Sequence, residues 1–255
     1  MKRFALLASA LLLVVAAQAQ KPEHLYVQIM TSKGDGVVRM YNETPQHRDN
    51  FVKLVREGFY EDLLFHRVIQ DFMIQGGDPE SRDAEPGERL GSGGLDYKVP
   101  AEFHEQLFHK KGVLAAARDN NPEKASSATQ FYLTQGRTFT DGALDSLETL
   151  RLGGRKIPLD QRQVYKTLGG VPHLDQNYTV FGELVTGISL IDSIAAVETD
   201  QFDRPLTDQK MNMRLLNRRE TINLERTLAG LKPRTGIFTK FFDLFRPTEV
   251  KLPEE

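Results

Sequence analysis

Residues 65–78, FHRVIQDFMIQGGD, say more about this chain than any other stretch of it. Arg67 sits among apolar neighbours in what reads as a strand. Phe72 and Met73 follow, then Gln75, then Gly76 and Gly77. A strand that buries an apolar face seldom holds an arginine without a use for it. An arginine, a glutamine and large apolar side chains from one short run would line a shallow pocket, greasy at one end and rich in donors at the other.

On either side of that run, residues 25–31 (LYVQIMT) and 36–41 (GVVRMY) alternate well enough for strands, joined by the turn residues Lys33, Gly34 and Asp35. Thr44-Pro45 opens a helix, Phe51, Leu54 and Val55 form its apolar face, and Gly58 stops it. Residues 63–69 and 72–75 are strand-like, and the polar, glycine-rich run 79–96 reads as a long surface loop. Residues 113–117 and 130–134 read as strands around a polar loop at 118–128. Residues 178–185 form another strand, and 210–216 a weak last one. Ile188, Ile191, Ile194 and Ala195 share a helical face after Gly187. Many strands, two helices and glycine-rich loops point to an all-β barrel or sandwich with helical additions.

Two segments fall outside that pattern. In 137–170, Leu144, Leu147 and Leu150 are three apart, and Pro158 opens a second stretch with Val164, Tyr165 and Leu168 on one face. With Gly153-Gly154 between its arms this reads as a helical hairpin. The tail, 217–255, holds Ile237, Phe238, Phe241, Phe242 and Phe245 on one helical face before Pro247. That face would cover apolar surface of the same chain, dimerise or touch a membrane, with docking the commonest fate; a monomer is expected.

With 27% charged residues and a formal net charge of −2, nothing in the balance points to a nucleic-acid surface. Lys2 and Arg3 precede an apolar run to Ala17, and Ala17-Gln18-Ala19 fits a small-x-small cleavage site. Residues 1–19 therefore read as a secretory signal peptide, and a bacterial periplasm is the expected compartment. The apolar run is short for a membrane span. The chain has no cysteine, so neither a disulfide nor thiol chemistry contributes. The six histidines are scattered, with no H-E-x-x-H run, and no serine has a nucleophile-elbow context; no metal, no cofactor and no hydrolase chemistry is expected.

The 65–78 run resembles the F-H-R-x-I-x-x-F-M-x-Q-G-G-D motif of the cyclophilin family of peptidyl-prolyl isomerases. Gly112-Val113-Leu114-Ala115-Ala116-Ala117 with Thr129-Gln130-Phe131-Tyr132 resembles the family's G-x-L-x-M-A … S-Q-F-F segment. Val180-Phe181-Gly182-Glu183-Leu184-Val185 with Gly187 resembles its V-F-G-x-V-x-x-G segment, and Gly58-Phe59-Tyr60 also fits. The likeness covers roughly 24–216, with the insertion at about 137–170. It implies a mainly β fold, a closed eight-stranded antiparallel barrel capped by two helices. It implies a cis-trans isomerase that acts on proline-containing polypeptides, here unfolded exported proteins.

The resemblance also implies roles. Arg67 is the catalytic residue, whose alternative is a salt bridge on the barrel surface. Phe72, Met73, Tyr132 and Leu174 form the apolar slot, each equally able to be ordinary core. Gln75 and Gln130 bind the peptide backbone. Arg118, flanked by Ala117 and Asp119, offers its backbone N–H to the substrate carbonyl, and Gly93 or Gly94 allows close approach. Three positions depart from the pattern. His173 stands where many members have tryptophan, Tyr178 where they have histidine, and Tyr132 where the second aromatic of S-Q-F-F falls. A tyrosine keeps the flat apolar face of phenylalanine and adds a hydroxyl, and it lacks histidine's charge change near neutral pH. Little pH dependence from position 178 and weakened cyclosporin binding are expected. The same groove used only to hold proline-containing segments is the rival reading. The insertion either extends the substrate groove or restricts which chains enter it, or else it packs against the tail.

Overall fold

The structure, a computed structural model, describes residues 23–234. Residues 1–19, expected as a signal peptide, and the Phe-rich stretch expected as a helical face at 237–245 lie outside the described residues. Contacts divide the chain into two units, one of them His24–Leu216.

That unit is built on a nine-stranded antiparallel sheet. Its strands are β1 (Tyr26–Thr31), β2 (Gly34–Met40), β3 (Leu63–Leu64), β4 (Arg67–Ile69), β5 (Met73–Gly76), β7 (Val113–Ala116), β9 (Phe131–Thr134), β10 (Val180–Thr186) and β11 (Lys210–Leu215). They pair in the order β3-β11-β1-β2-β10-β7-β9-β5-β4. The run 63–69, expected as one strand, is two. Phe65 and His66 interrupt it, because its first half pairs with β11 and its second half with β5. The sheet therefore curls until its two edge strands are successive in the chain. Eight strands were expected, and this break makes nine.

Two further details differ from expectation. Gly34 and Asp35 belong to β2, paired with Thr31 and Met30 of β1, so the turn is Ser32-Lys33. The loops 79–96 and 118–128 are less featureless than their composition implies. The first opens with a 3-10 turn, Pro79–Ser81. The second contains β8 (Ser126–Ser127), which pairs with β6 (Lys98–Val99). Two-residue strands have no alternation to detect.

Helices α1 (Pro45–Arg56) and α4 (Ser189–Ala195) pack on the sheet. Pro45 stands in the first turn, where its missing N–H costs nothing. Phe51, Leu54 and Val55 of α1 and Leu190, Ile191 and Ile194 of α4 enter the main core with Val27, Ile29, Val38 and Met40. Each such side chain stabilises the fold by about 1.5–3 kcal/mol.

The middle of the sheet is buried on both faces. Ile74, Leu114, Leu133 and Phe181 point into the main core. Their neighbours Met73, Val113, Ala115, Tyr132 and Val180 point the other way into a second cluster with Val171 and Leu174. Alternate residues of a strand face opposite sides. The second cluster is thus a greasy patch on the outer face of the sheet.

The inserted stretch forms α2 (Asp141–Leu150) and α3 (Leu159–Thr167). Leu144, Ile157 and Tyr165 make a small core of their own, joined by Phe108, Phe139, Leu147 and Leu152. Leu150 and Leu168, expected on the packed faces, are exposed. Their place in the inner face is taken by Ile157 and by the Glu148 carboxyl, which bonds Ile157 N–H, Lys156 and Arg162. Gly170 forms isolated bridges with Lys110 and Arg137; a Cβ there would sit 2.2 Å from the His109 carbonyl oxygen. In the other unit, α5 (Arg218–Leu228) starts with a capping box. Asn217 accepts from Arg219 and Glu220 N–H, and Glu220 accepts from Asn217 N–H. Among the described residues no helix is long and apolar enough to cross a membrane.

Candidate active site

Cross-strand register builds the polar side of the site. Arg67 on β4 lies opposite Gln75 on β5, and Gln75 lies opposite Tyr132 on β9. Arg67 Nη1 donates to Gln75 Oε1 at 3.4 Å, and Gln75 Nε2 donates to Gln130 Oε1 at 3.0 Å. Gln130 Nε2 in turn donates to the carbonyls of Gly91 and Gly93 at 3.0 and 2.7 Å. Behind the guanidinium, Asp203 Oδ2 stands 3.5 Å from Arg67 Nε. Asp203 has φ +64° and its carbonyl accepts from Val68 N–H at 2.8 Å, so backbone pairing fixes where that carboxylate starts.

Arg67 and Gln75 border a cavity of ≈ 310 Å³ whose floor is the outer apolar cluster, with Phe72, Met73, Tyr132, Leu174 and Tyr178. Ala117 and Arg118 form another side. A second cavity of ≈ 280 Å³ adjoins it and shares Gln75, Ala117 and Arg118; Gly93 and Gln130 line this one. Every residue given a site role from sequence, with one exception, thus borders one of two adjoining cavities. His173 borders neither. It stacks on Phe72 at 5.9 Å between ring centroids, and burial first, then Arg151, pushes its pKa down.

The loop over the cavity is anchored from beneath. Buried Asp78 accepts from Gly91 N–H at 2.6 Å and Gly93 N–H at 3.2 Å, and its other oxygen accepts from Glu80 N–H. A Cβ on Gly93 would lie 2.1 Å from that carboxylate, so glycine is required for this approach. Arg118 ties the opposite wall. Its Nε and Nη2 donate to the carbonyl and side chain of Asn177, both at 3.0 Å, and its guanidinium lies over the Tyr178 ring at 4.7 Å.

The cavity also takes His66, Leu90 and Gly91, which sequence reading did not select. His66 stood inside the opening motif. It is 3% exposed, and neither ring nitrogen has a partner among the described residues. Burial is the main cause that pushes its pKa down to about 4; Arg67 and Arg204 add to this and Asp78 opposes it. Leu90 and Gly91 sit in an irregular loop that carries no periodic signal. Among the described residues no group of three or more metal-ligating side chains is gathered.

The arrangement offers an always-charged planar donor at the edge of an apolar slot.

Comparisons with known proteins identify the family. The family model described as cyclophilin type peptidyl-prolyl cis-trans isomerase/CLD matches residues 26–214. A Staphylococcus aureus (strain USA300) protein named as a peptidyl-prolyl cis-trans isomerase is 34% identical over 183 residues, covering 71% of this chain and 86% of that one. A Streptococcus pyogenes protein named as a bifunctional phosphatase/peptidyl-prolyl cis-trans isomerase is 34% identical over 188 residues; this chain spans 36% of its length. The crystal structure of a Cryptosporidium parvum cyclophilin type isomerase superposes with TM-score 0.57 at 21% identity, covering 76% of this chain and 98% of that one. A second structure of it, in the presence of the dipeptide Ala-Pro, gives 0.54 over 75% and 98%. These two show a shared mainly β fold. By the match to its family model and its identity to the bacterial relatives, this chain belongs to the cyclophilin-type peptidyl-prolyl cis-trans isomerases.

Proposed function

We propose that this isomerase speeds X-Pro bond rotation in exported polypeptides as they fold, with Arg67 as its polar catalyst. Amide resonance sets a barrier of about 18–20 kcal/mol to that rotation, while the two end states differ by only about 0.5–1 kcal/mol. The catalyst therefore has to favour the twisted peptide, whose prolyl nitrogen has become pyramidal. Each ~1.4 kcal/mol of preference for that state over the planar ones multiplies the rate tenfold.

In this reading the proline ring enters the slot formed by Phe72, Met73, Tyr132, Leu174 and Tyr178. Arg67 then donates to the prolyl nitrogen or the neighbouring carbonyl. Gln75, Gln130 and the Arg118 backbone N–H hold the peptide on either side, Gly93 leaves room for it, and His173 supports Phe72. The observation that carries the reading is Arg67 itself, held by Gln75 on one side and Asp203 on the other at the edge of an apolar-floored cavity. Export is supported by Lys2, Arg3, the apolar run that follows and Ala17-Gln18-Ala19; the periplasm is the compartment we propose. For the scaffold, we count 63–69 as one strand bent at Phe65 and His66, which makes the curled sheet a closed ring of eight.

The test is a protease-coupled isomerisation assay on a short Ala-Pro peptide, wild type beside Arg67→Ala. Loss of a charged donor to the transition state lowers kcat/KM by on the order of a hundredfold. Tight peptide binding with no rate enhancement by the wild type would make the groove a recognition module and sink the enzyme reading.

A further inference from the structure

Tyr132 poses a physical problem. It lies on the floor of the apolar slot, yet it carries a hydroxyl and is 4% exposed. A buried hydroxyl without a partner is destabilising, and a hydroxyl turned into the slot would spoil it for a proline ring. The structure solves this from behind. The Tyr132 hydroxyl lies 2.9 Å from His109 Nε2, His109 Nδ1 lies 2.9 Å from Asp175 Oδ1, and the Tyr165 hydroxyl donates to Asp175 Oδ2 at 2.7 Å. His109 and Tyr165 are fully buried, and Asp175 is nearly so. Asp175 therefore receives three donors: His109 N–H, His109 Nδ1–H and the Tyr165 hydroxyl. With Nδ1–H donating to Asp175, Nε2 is the atom placed to accept from the Tyr132 hydroxyl.

The origin of these four residues gives the relay its meaning. Tyr132 belongs to β9, and His109 precedes β7. Asp175 directly follows Leu174, which borders the slot. Tyr165 belongs to α3, inside the inserted stretch. One line of hydrogen bonds thus runs from the core of the insertion to the floor of the proline slot. The imidazole of His109 also stacks on the Tyr132 ring, with centroids 6.0 Å apart and planes 15° off parallel. Arg155 adds a bond from the insertion to the Asp175 carbonyl at 3.2 Å.

We propose that the insertion acts on the isomerase site through this relay: Tyr165, Asp175 and His109 are positioning residues that hold Tyr132 flat against the slot, its hydroxyl turned away from it. None of the three touches substrate. The proposal rests on the isomerase reading of the slot. It assigns to the inserted helices a part in catalysis that neither groove extension nor packing against the tail requires.

Tyr165→Phe is the probe, because it removes one hydroxyl and keeps the packed ring. The expected loss is about fivefold in kcat/KM on an Ala-Pro peptide, the size of one neutral hydrogen bond. Tyr132→Phe supplies the second arm of a double-mutant cycle. Without the Tyr132 hydroxyl there is nothing for the relay to hold, so Tyr165→Phe on that background leaves kcat/KM unchanged. Its effect on melting temperature is expected on both backgrounds. A structural role alone would give that melting shift with no loss of activity, or the same loss on both backgrounds, and either result overturns the proposal. Histidine 15N shifts of the wild type are an independent measurement, with His109 expected as the Nδ1–H tautomer; an Nε2–H tautomer overturns it as well. Should the wild type show no isomerase activity, the isomerase reading fails on its own. The relay is then judged by dissociation constants of the same peptide across the same four proteins, with the same non-additivity expected.

Discussion

Arg67 is held by two neighbours of different kinds, and they fail differently. Gln75 is neutral and part-buried, at 3.4 Å. Asp203 is charged, 3.5 Å away, and both side chains of that pair are over 40% exposed. An exposed ion pair is worth about 0–1 kcal/mol and weakens with salt. Asp203→Asn should therefore lower kcat/KM by about two- to fivefold at low ionic strength, and wild type should approach the variant as salt rises to about 1 M. A variant as fast as wild type in dilute buffer would leave Gln75 alone as the support. His66 gives a prediction in pH. Its folded pKa is lowered to about 4 from the ordinary 6.5, chiefly by burial. Between those values the unfolded chain binds more protons, so stability is full above pH 6.5 and falls as pH drops towards 4. At about 1.36 kcal/mol per pKa unit the loss reaches at most roughly 3 kcal/mol. Urea unfolding from pH 7 to 4 measures it, and His66→Gln should flatten that part of the curve. A wild-type curve already flat there would place the proton on His66 in the fold as well. At this scale the site was legible where a side chain is unusual for its strand, as with Arg67 and Gln75. Leu90 and Gly91 were not, because Asp78 and Gln130, distant in sequence, place their loop.

Elements repeat the contrast. β1 was readable because its burial falls off along one face, as in the solvated sheets that alternation describes. β7 and β9 are buried at every position, VLAA and FYLT, so the sequence shows strands there but not which residues face the core and which the slot. Burial pattern alone does not separate Met73 and Tyr132 from Ile74 and Leu133; the motif resemblance singled out the first two, and the paired strands turn the two sets into different clusters. The insertion was legible as helix by its leucine spacing, but a carboxylate fills a place that spacing gave to a leucine. Glu148 is 2% exposed and is held at about pKa 2, first by the Lys156 ammonium and then by Ile157 N–H and Arg162 against the opposing effect of burial. A depressed carboxyl contributes stability above its unfolded pKa of about 4.5 and loses it as pH falls towards 2. Glu148→Gln should destabilise the protein by about 1–3 kcal/mol at pH 7, since it weakens the bonds to Lys156, Ile157 and Arg162 together. Melting curves of the two proteins should converge between pH 4.5 and 2. Parallel curves over that range would mean that the insertion melts apart from the transition being followed.

For the whole molecule, the position of the site within the chain matters more than any one bond. Every residue we place in the slot, its polar edge or the buried relay lies between His66 and Asp203, inside the unit His24–Leu216. The family model ends its match at residue 214, just short of where that unit ends. The unit also holds both helices of the main core and the strand β11, which pairs β1 and β3 and so joins the edge strand β3 to the rest of the sheet. A chain of 24–216 thus keeps the core clusters, the curled sheet and the insertion complete, with no cysteine whose pairing truncation would disturb. It should unfold in one cooperative transition and retain kcat/KM on an Ala-Pro peptide within about twofold of 20–255, a difference below the effect of one hydrogen bond. The informative comparison is then refolding of a proline-limited protein, assayed with both chains at equal peptide activity. If the longer chain is faster there, residues 217–255 contribute to capture of unfolded protein and not to bond rotation. If the short chain has already lost activity on the peptide, residues 217–255 support the slot itself, and bond rotation is not confined to the unit 24–216.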